Sequence, residues 1–303
     1  MSRKREYFRP AYLLIFFVSI CTIFAETVPD AAPLRKETVP AVQPQTAGRN
    51  IIHTVKPSES LFKIARAYGV SYPAIARANG IDNPHLIFAE QKLIVPLKII
   101  IPQAMESGIL INLPEFRLYL FKNGELAGIY PVCIGLVTWQ TPLGTFSVIN
   151  KIKDPAWYMP PGMAERENIK REIIPPGPDN PLGDRWIGTT IKHTGIHGTN
   201  MPMSIGKSLS HGCVRLYPED IQKVFEEVEV GNPGIFLYEP VKVCTEGEEV
   251  LIEVHPDVYS LVPDIEKLAI EKLQEKNMLQ KIHAGKMLEA LQKSSGIPVP
   301  IGK

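Results

Sequence analysis

The sequence predicts a mostly β domain with a small α+β (βααβ) module before it and a partly helical extension after it. Three observations carry this expectation. Residues 50–97 compress strand, helix, helix and strand signals into one short unit, and residues 106–240 are dominated by short β-rich runs broken by turns. The 303-residue chain is 45% hydrophobic and 21% charged, enough apolar content for two ordinary cores.

At the N-terminus Arg3, Lys4, Arg5 and Arg9 lead into the apolar run Ala11–Ala25, and the polar stretch ETVPDAAP follows. A basic start, a short apolar run and a small residue predict a secretory signal over 1–25, or an N-terminal anchor, and so an exported protein of the periplasm or cell envelope. Bulky Ile20 before Cys21 argues against a lipidation site. Removing the segment takes four of 33 basic and one of 32 acidic residues, leaving 29 against 31. A near-neutral chain lacks the basic footprint that a nucleic-acid partner requires. Residues 26–49 are rich in Pro, Ala, Thr and charge without an apolar period, and they read as a linker.

In the module, IIHTV is a strand signal. Ser60 N-caps LFKIARAYG, whose Leu61, Ile64, Ala65 and Tyr68 recur at helical spacing until Gly69. Ser71 caps a second helix ending near Asn79-Gly80, and QKLIVPL closes the unit as a strand stopped by Pro96. Tyr68, Ile75 and Leu93 are read as its minimal core. HTVKPSESLFKIARAYGVSYPAIARANG with IFAEQKLIVP resembles the LysM family over its full length. The resemblance implies binding of N-acetylglucosamine-containing glycans such as peptidoglycan, through the loops Ser58–Leu61 and Asn83–Phe88.

In the larger domain, Asn123-Gly124 within GILINLPEFRLYLFKNGELAGIYPVCIG is a hairpin signal, and TFSVINKIK continues the β pattern. Residues 154–182 form a Pro-, Gly- and charge-rich segment of the kind that walls binding grooves. PEDIQKVFEEVEV is a helix from about Pro218 that Gly231 stops. The tail, 241–303, is charged and helical in composition without an unbroken heptad, so one or two surface helices are expected.

The chemistry gathers at SHGCVRL, residues 210–216. An exported chain keeping Cys133, Cys213 and Cys244 has at least one unpaired thiol. Spacing alone leaves open whether Cys133 pairs with Cys244 or both are small buried apolar residues. A cysteine becomes a nucleophile when a base draws off its proton, and His197 lies upstream in the β-type run HTGIHGTN. Gly212 lets a substrate carbonyl approach the backbone, where N–H groups of Gly212 and Cys213 hold an oxyanion, an interaction of about 3–4 kcal/mol per donor. A rival set for zinc is His193, His197, His211 and Cys213. The spacing of His193 and His197 converges on one ion only on a helix, which HTGIHG disfavours. A second rival is a wall-binding scaffold with an inert β domain.

The HG pair, the intervening loop and SHGCVRL, together with TPLGTF (141–146) and DPAWYMPP (154–161), resemble the L,D-transpeptidase catalytic domain family of the YkuD type. The resemblance implies a β-sandwich-like fold for this mostly β domain, and that Cys213 is the nucleophile and His197 its base, with the Gly198 carbonyl orienting the imidazole. His211 and Gly212 would line the oxyanion side. Ser210 and Arg215 would contact or position substrate, and Trp157 and Tyr158 would wall the peptide groove. It implies no cofactor and no metal. The implied donor is a peptidoglycan tetrapeptide stem that releases D-Ala. The implied acceptor is a second stem, an outer-membrane lipoprotein or water.

Overall fold

A computed structural model describes residues 46–159 and 173–303; the expected signal or anchor, most of the linker and the middle of the long loop lie outside them. Among the described residues no helix is long and apolar enough to cross a membrane.

The module contains β1 (Thr46–Ala47), β2 (Ile51–Thr54), α1 (Leu61–Tyr68), α2 (Tyr72–Ala78), β3 (Lys92–Val95) and β4 (Ile99–Ile100). Ser60 Oγ accepts the Lys63 N–H to start α1, and Gly69, at φ 66°, ends it. Ser71 does the same for α2. β2 and β3 pair antiparallel from Ile51 opposite Val95 to Thr54 opposite Lys92. Both helices lay Leu61, Ile64 and Ile75 against Leu93 and Val95 in a small buried core, with Tyr68 half-buried at its edge.

The larger domain runs through β5 (Gly108–Asn112), β6 (Arg117–Lys122), β7 (Glu125–Gly135), β8 (Gly144–Lys153), β9 (Trp157–Tyr158), β10 (Ile173–Ile174), β11 (Arg185–Thr189), β12 (Gly195–His197), β13 (Ser208–Ser210), β14 (Val214–Leu216), α3 (Pro218–Glu227) and β15 (Pro233–Leu237). Asn123 and Gly124, at φ 53° and 76°, make the turn between β6 and β7. Two sheets share their edge strands. One is ordered β8-β15-β5-β6-β7 and the other β8-β11-β12-β14-β7. β7 follows β6 as far as Pro131 and then β14 at Val132 and Cys133, while β8 passes from β15 to β11 after Ser147. The sheets close around one core of Ile109, Leu118, Val132, Ile187, Ile196 and Val214. α3 seals it with Ile221, Val224 and Phe225. The mostly β, sandwich-like architecture is therefore present, with long bent strands as its corners.

Two expectations are corrected. α3 ends at Glu227, short of Gly231, because Val228 takes an extended conformation and buries in the main core. The tail is not only helical. β16 (Val241–Glu246) and β17 (Glu249–Val254) form a hairpin that β18 (Val299–Pro300) extends, and α4 (Ile265–Glu275) and α5 (Ala284–Lys293) pack on it. The alternation in VKVCTEGEEVLIEV, with Gly247 in a left-handed turn, is a hairpin signal that the charged helical stretch after it obscured.

A buried ionic network joins all three parts of the chain. Lys242 Nζ lies 2.8 Å from Glu115 and 3.2 Å from Glu253, and Arg117 bridges the same two carboxylates at 3.3 and 3.2 Å. His255 Nε2 meets Glu253 at 2.8 Å, the Ile100 N–H donates to Glu253, and Arg117 reaches the Pro96 carbonyl at 3.4 Å. Burial pushes the Glu253 carboxyl up, but Lys242, His255 and Arg117 outweigh it and hold the group at about 2.

Candidate active site

The arrangement of the site follows from strand register. β12 and β14 are parallel neighbours, with Ile196 opposite Val214 and His197 opposite Arg215. Register partners on adjacent strands point the same way, so His197 and Arg215 share one face of the sheet. Cys213 sits at the head of β14, after a turn in which Gly212 takes φ 105°, a region closed to most side chains.

His197 is buried. Its Nδ1 lies 2.6 Å from the Gly198 carbonyl oxygen, which can only accept, so Nδ1 holds the proton of the neutral ring and Nε2 keeps its lone pair. Burial holds the imidazole down at about 3; the Arg215 charge adds to this, and bonds to the Gly198 and Leu182 carbonyls oppose it. The Cys213 thiol is pushed up by burial, with the Gly195 backbone and Arg215 pulling the other way. Near neutral pH both groups are thus uncharged. The pair suits proton transfer in step with attack on a substrate, rather than a standing thiolate–imidazolium pair.

The thiol does not hydrogen-bond to His197 here. It points to the His193 carbonyl at 3.6 Å, and His193 itself occupies a left-handed turn at φ 60°. Ser210 Oγ accepts the Gly212 N–H at 3.2 Å and donates to the Cys213 carbonyl, so the first of the two expected oxyanion donors is already engaged. His211 is exposed, its ring 4.3 Å from that of Trp139. Arg215 Nε is buried and has no hydrogen-bond partner among the described residues.

Trp157 and Tyr158 form β9, which pairs with β10 as a short arm, and Tyr158 is 70% exposed. Fully buried Asn180 ties this arm down. Its Nδ2 donates to the Pro155 carbonyl at 2.8 Å and lies within reach of those of Ile174 and Pro175, while its Oδ1 accepts the Leu182 N–H.

The zinc set does not assemble. His193, His197, His211 and Cys213 do not converge, and the possible ligand group that gathers among the described residues is Glu115, Glu253 and His255, inside the ionic network. Cys133 and Cys244 are separate buried thiols, which closes the question of their pairing. Cys133 sits in a small cluster with Ile205 and Tyr217, Cys244 in another with Ile100 and Leu251.

Three residues of the site were not foreseen. Trp186 stacks on His197 with centroids 5.8 Å apart and planes at 23°, and Asn150 accepts its Nε1–H at 3.1 Å. The indole lies over Gly195, where a Cβ would fall 2.3 Å from it. Trp139 covers His211 from the β7–β8 loop. Tyr259, from the extension, donates to the Gly135 carbonyl at 2.8 Å and accepts the Thr141 N–H at 3.2 Å, bracing that loop at both ends. The two tryptophans carry no motif of their own, and for Tyr259 the sequence gives no signal.

Comparison with known proteins agrees with this architecture. The L,D-transpeptidase catalytic domain model (YkuD) matches residues 106–243, and the LysM domain model matches 53–96. The Escherichia coli (strain K12) protein named "Probable L,D-transpeptidase YbiS" is 31% identical over 98% of this chain and 98% of its own length. From the same organism, "Probable L,D-transpeptidase YcfS" is 31% identical over 80% of this chain and 79% of its own. "Putative L,D-transpeptidase YkuD" of Bacillus licheniformis is 30% identical over 60% of this chain and 96% of its own. With a LysM module ahead of a mostly β catalytic domain, and likeness to these relatives over most of their length, this chain belongs to the L,D-transpeptidase family.

Proposed function

We propose that the protein is an exported, cysteine-dependent L,D-transpeptidase of the cell envelope that acts on peptidoglycan tetrapeptide stems. The observation that carries the reading is the placement of Cys213 at the head of β14, the strand that runs parallel to the one ending in His197, with the imidazole neutral and its Nδ1 on the Gly198 carbonyl. The thiol swings from the His193 carbonyl toward Nε2 and gives up its proton as Sγ attacks the carbonyl of the meso-diaminopimelate residue. The Cys213 N–H, with the His211–Gly212 turn, steadies the oxyanion. The amide C–N bond breaks, the imidazolium returns its proton to the leaving amine, and D-Ala departs. An acceptor amine then attacks the thioester carbonyl and gives a proton to Nε2 of His197; the C–S bond breaks, and Sγ leaves and takes that proton back as the regenerated thiol.

Arg215 fixes this geometry and meets a substrate carboxylate. Ser210 locks the turn, and the arm carrying Trp157 and Tyr158 walls the stem peptide. The LysM module holds the glycan. A second stem as acceptor gives a 3→3 cross-link, and the terminal lysine of an outer-membrane lipoprotein gives an envelope anchor. Products of incubation with disaccharide-tetrapeptide, with and without a lysine-ended peptide, are read by mass spectrometry against Cys213→Ala. A cross-linked dimer or peptide adduct that disappears in the variant supports transpeptidation and names the acceptor. Release of D-Ala alone makes the enzyme a carboxypeptidase, and unchanged substrate with a folded, glycan-binding protein favours the scaffold.

A further inference from the structure

A cavity of about 260 Å³ opens at the seam between the module and the catalytic domain. Its module side is made by Ser60, Phe62, Tyr72, His85 and Ile87, and its far side by Met203 of the catalytic domain. Met203 is 43% exposed and lies in the turn Pro202–Ser204, just ahead of β13 and the Gly212–Cys213 turn.

The two walls are fixed to one another. Phe62 packs on the buried cluster of Cys133, Ile205 and Tyr217, with its ring edge-on to Tyr72 at 6.4 Å and to Tyr217 at 6.3 Å. Arg66 lies over the Tyr217 ring at 5.2 Å and binds Glu219 at 2.5 Å, and the Lys207 ammonium stands over Tyr72 at 5.0 Å. The chain that supplies Met203 is therefore clamped to the module on one side and runs into the nucleophile on the other.

The lining selects a neutral, amphipathic ligand. Ring, thioether and aliphatic surfaces suit the C–H faces of pyranose rings, while the Ser60 hydroxyl and the His85 ring offer polar contacts to hydroxyls and amides. The acid at this rim, Glu59, is occupied by His53 at 2.8 Å and by the Lys56 N–H, so the carboxylate in the lining is not free to hold a cationic ligand. We propose that this is a composite glycan site in which Met203 completes the module's groove, so that one N-acetylglucosamine oligosaccharide touches both domains and is registered against Cys213. The inference rests on the reading of the LysM module as glycan-binding.

The test is calorimetric titration of the full chain with the N-acetylglucosamine tetramer, together with turnover of glycan-linked and free tetrapeptide donors. Met203→Ala is expected to weaken tetramer binding about fivefold to tenfold and to lower the preference for the glycan-linked donor by a similar factor; Met203→Leu, nearly isosteric, retains both. Wild-type affinity and preference in Met203→Ala, alongside weakened binding in Ile87→Ala, would assign the groove to the module alone and overturn the composite site. Absence of tetramer binding by the wild-type chain would instead sink the glycan reading on which it stands.

Discussion

In the proposed mechanism, Cys213 and His197 are two neutral groups that ionise together. Cys213→Ala removes the covalent route and is expected to bring turnover to background. His197→Gln removes the base and costs about 10²- to 10⁴-fold in kcat/KM. Both are checked by product mass spectrometry on protein whose fold is verified by circular dichroism. The thiol is raised by burial and the imidazole lowered to about 3, so alkylation of Cys213 by iodoacetamide should accelerate with pH above neutrality, without a thiolate plateau at pH 6. Stability rises with pH as well, but on the acid side. A histidine at about 3 when folded and about 6.5 when unfolded takes up its proton preferentially in the unfolded chain between those values. Its contribution is complete above pH 6.5 and is lost as pH falls toward 3. His197→Gln should flatten the pH dependence of unfolding free energy across that window by up to about 1.4 kcal/mol per pH unit, measured by urea denaturation. Cys213 and His197 could be singled out in the sequence because their neighbours, HG and SHGC, are short and local. Trp186 was not, because it meets His197 only through the pairing of β11 with β12.

Among the elements, the β9–β10 arm is tied down by one buried side chain. Asn180 holds it through buried hydrogen bonds to carbonyls on both strands' flanks. Asn180→Ala leaves those carbonyls and the Leu182 N–H unsatisfied, an expected loss of about 1–3 kcal/mol seen as a lower urea midpoint, with a raised KM for the stem donor as the arm loosens. The capped helices of the module and the Asn123-Gly124 hairpin could be read from sequence because their signals are confined to a few adjacent residues. The hairpin of β16 and β17 was missed because the helical composition after it dominated the reading. The Tyr259 brace was beyond reach for a different reason: its partners, Gly135 and Thr141, lie far upstream, and the contact exists only once the extension has docked.

Across the whole molecule, the ionic network of Glu115, Arg117, Lys242, Glu253 and His255, with the Ile100 N–H and the Pro96 carbonyl, ties module, catalytic domain and extension together, and the three are expected to unfold as one. Glu253→Gln keeps the shape but withdraws a charge from around buried Lys242 and Arg117. Breaking a buried pair in this way costs about 3–5 kcal/mol, and thermal unfolding should fall by roughly 6 °C or more. A single transition in that variant is the expected result; two resolved transitions would mean that the parts fold separately. The three thiols of the described residues have a last consequence, for counting active molecules. Cys133 and Cys244 are buried in the interior, while Cys213 is half-buried at the site. A thiol-reactive dye applied to the native protein therefore reports, among these three, the fraction of molecules whose Cys213 is reduced and open, and the remaining two appear only on denaturation. The fold supplies its own internal standard for active-site titration.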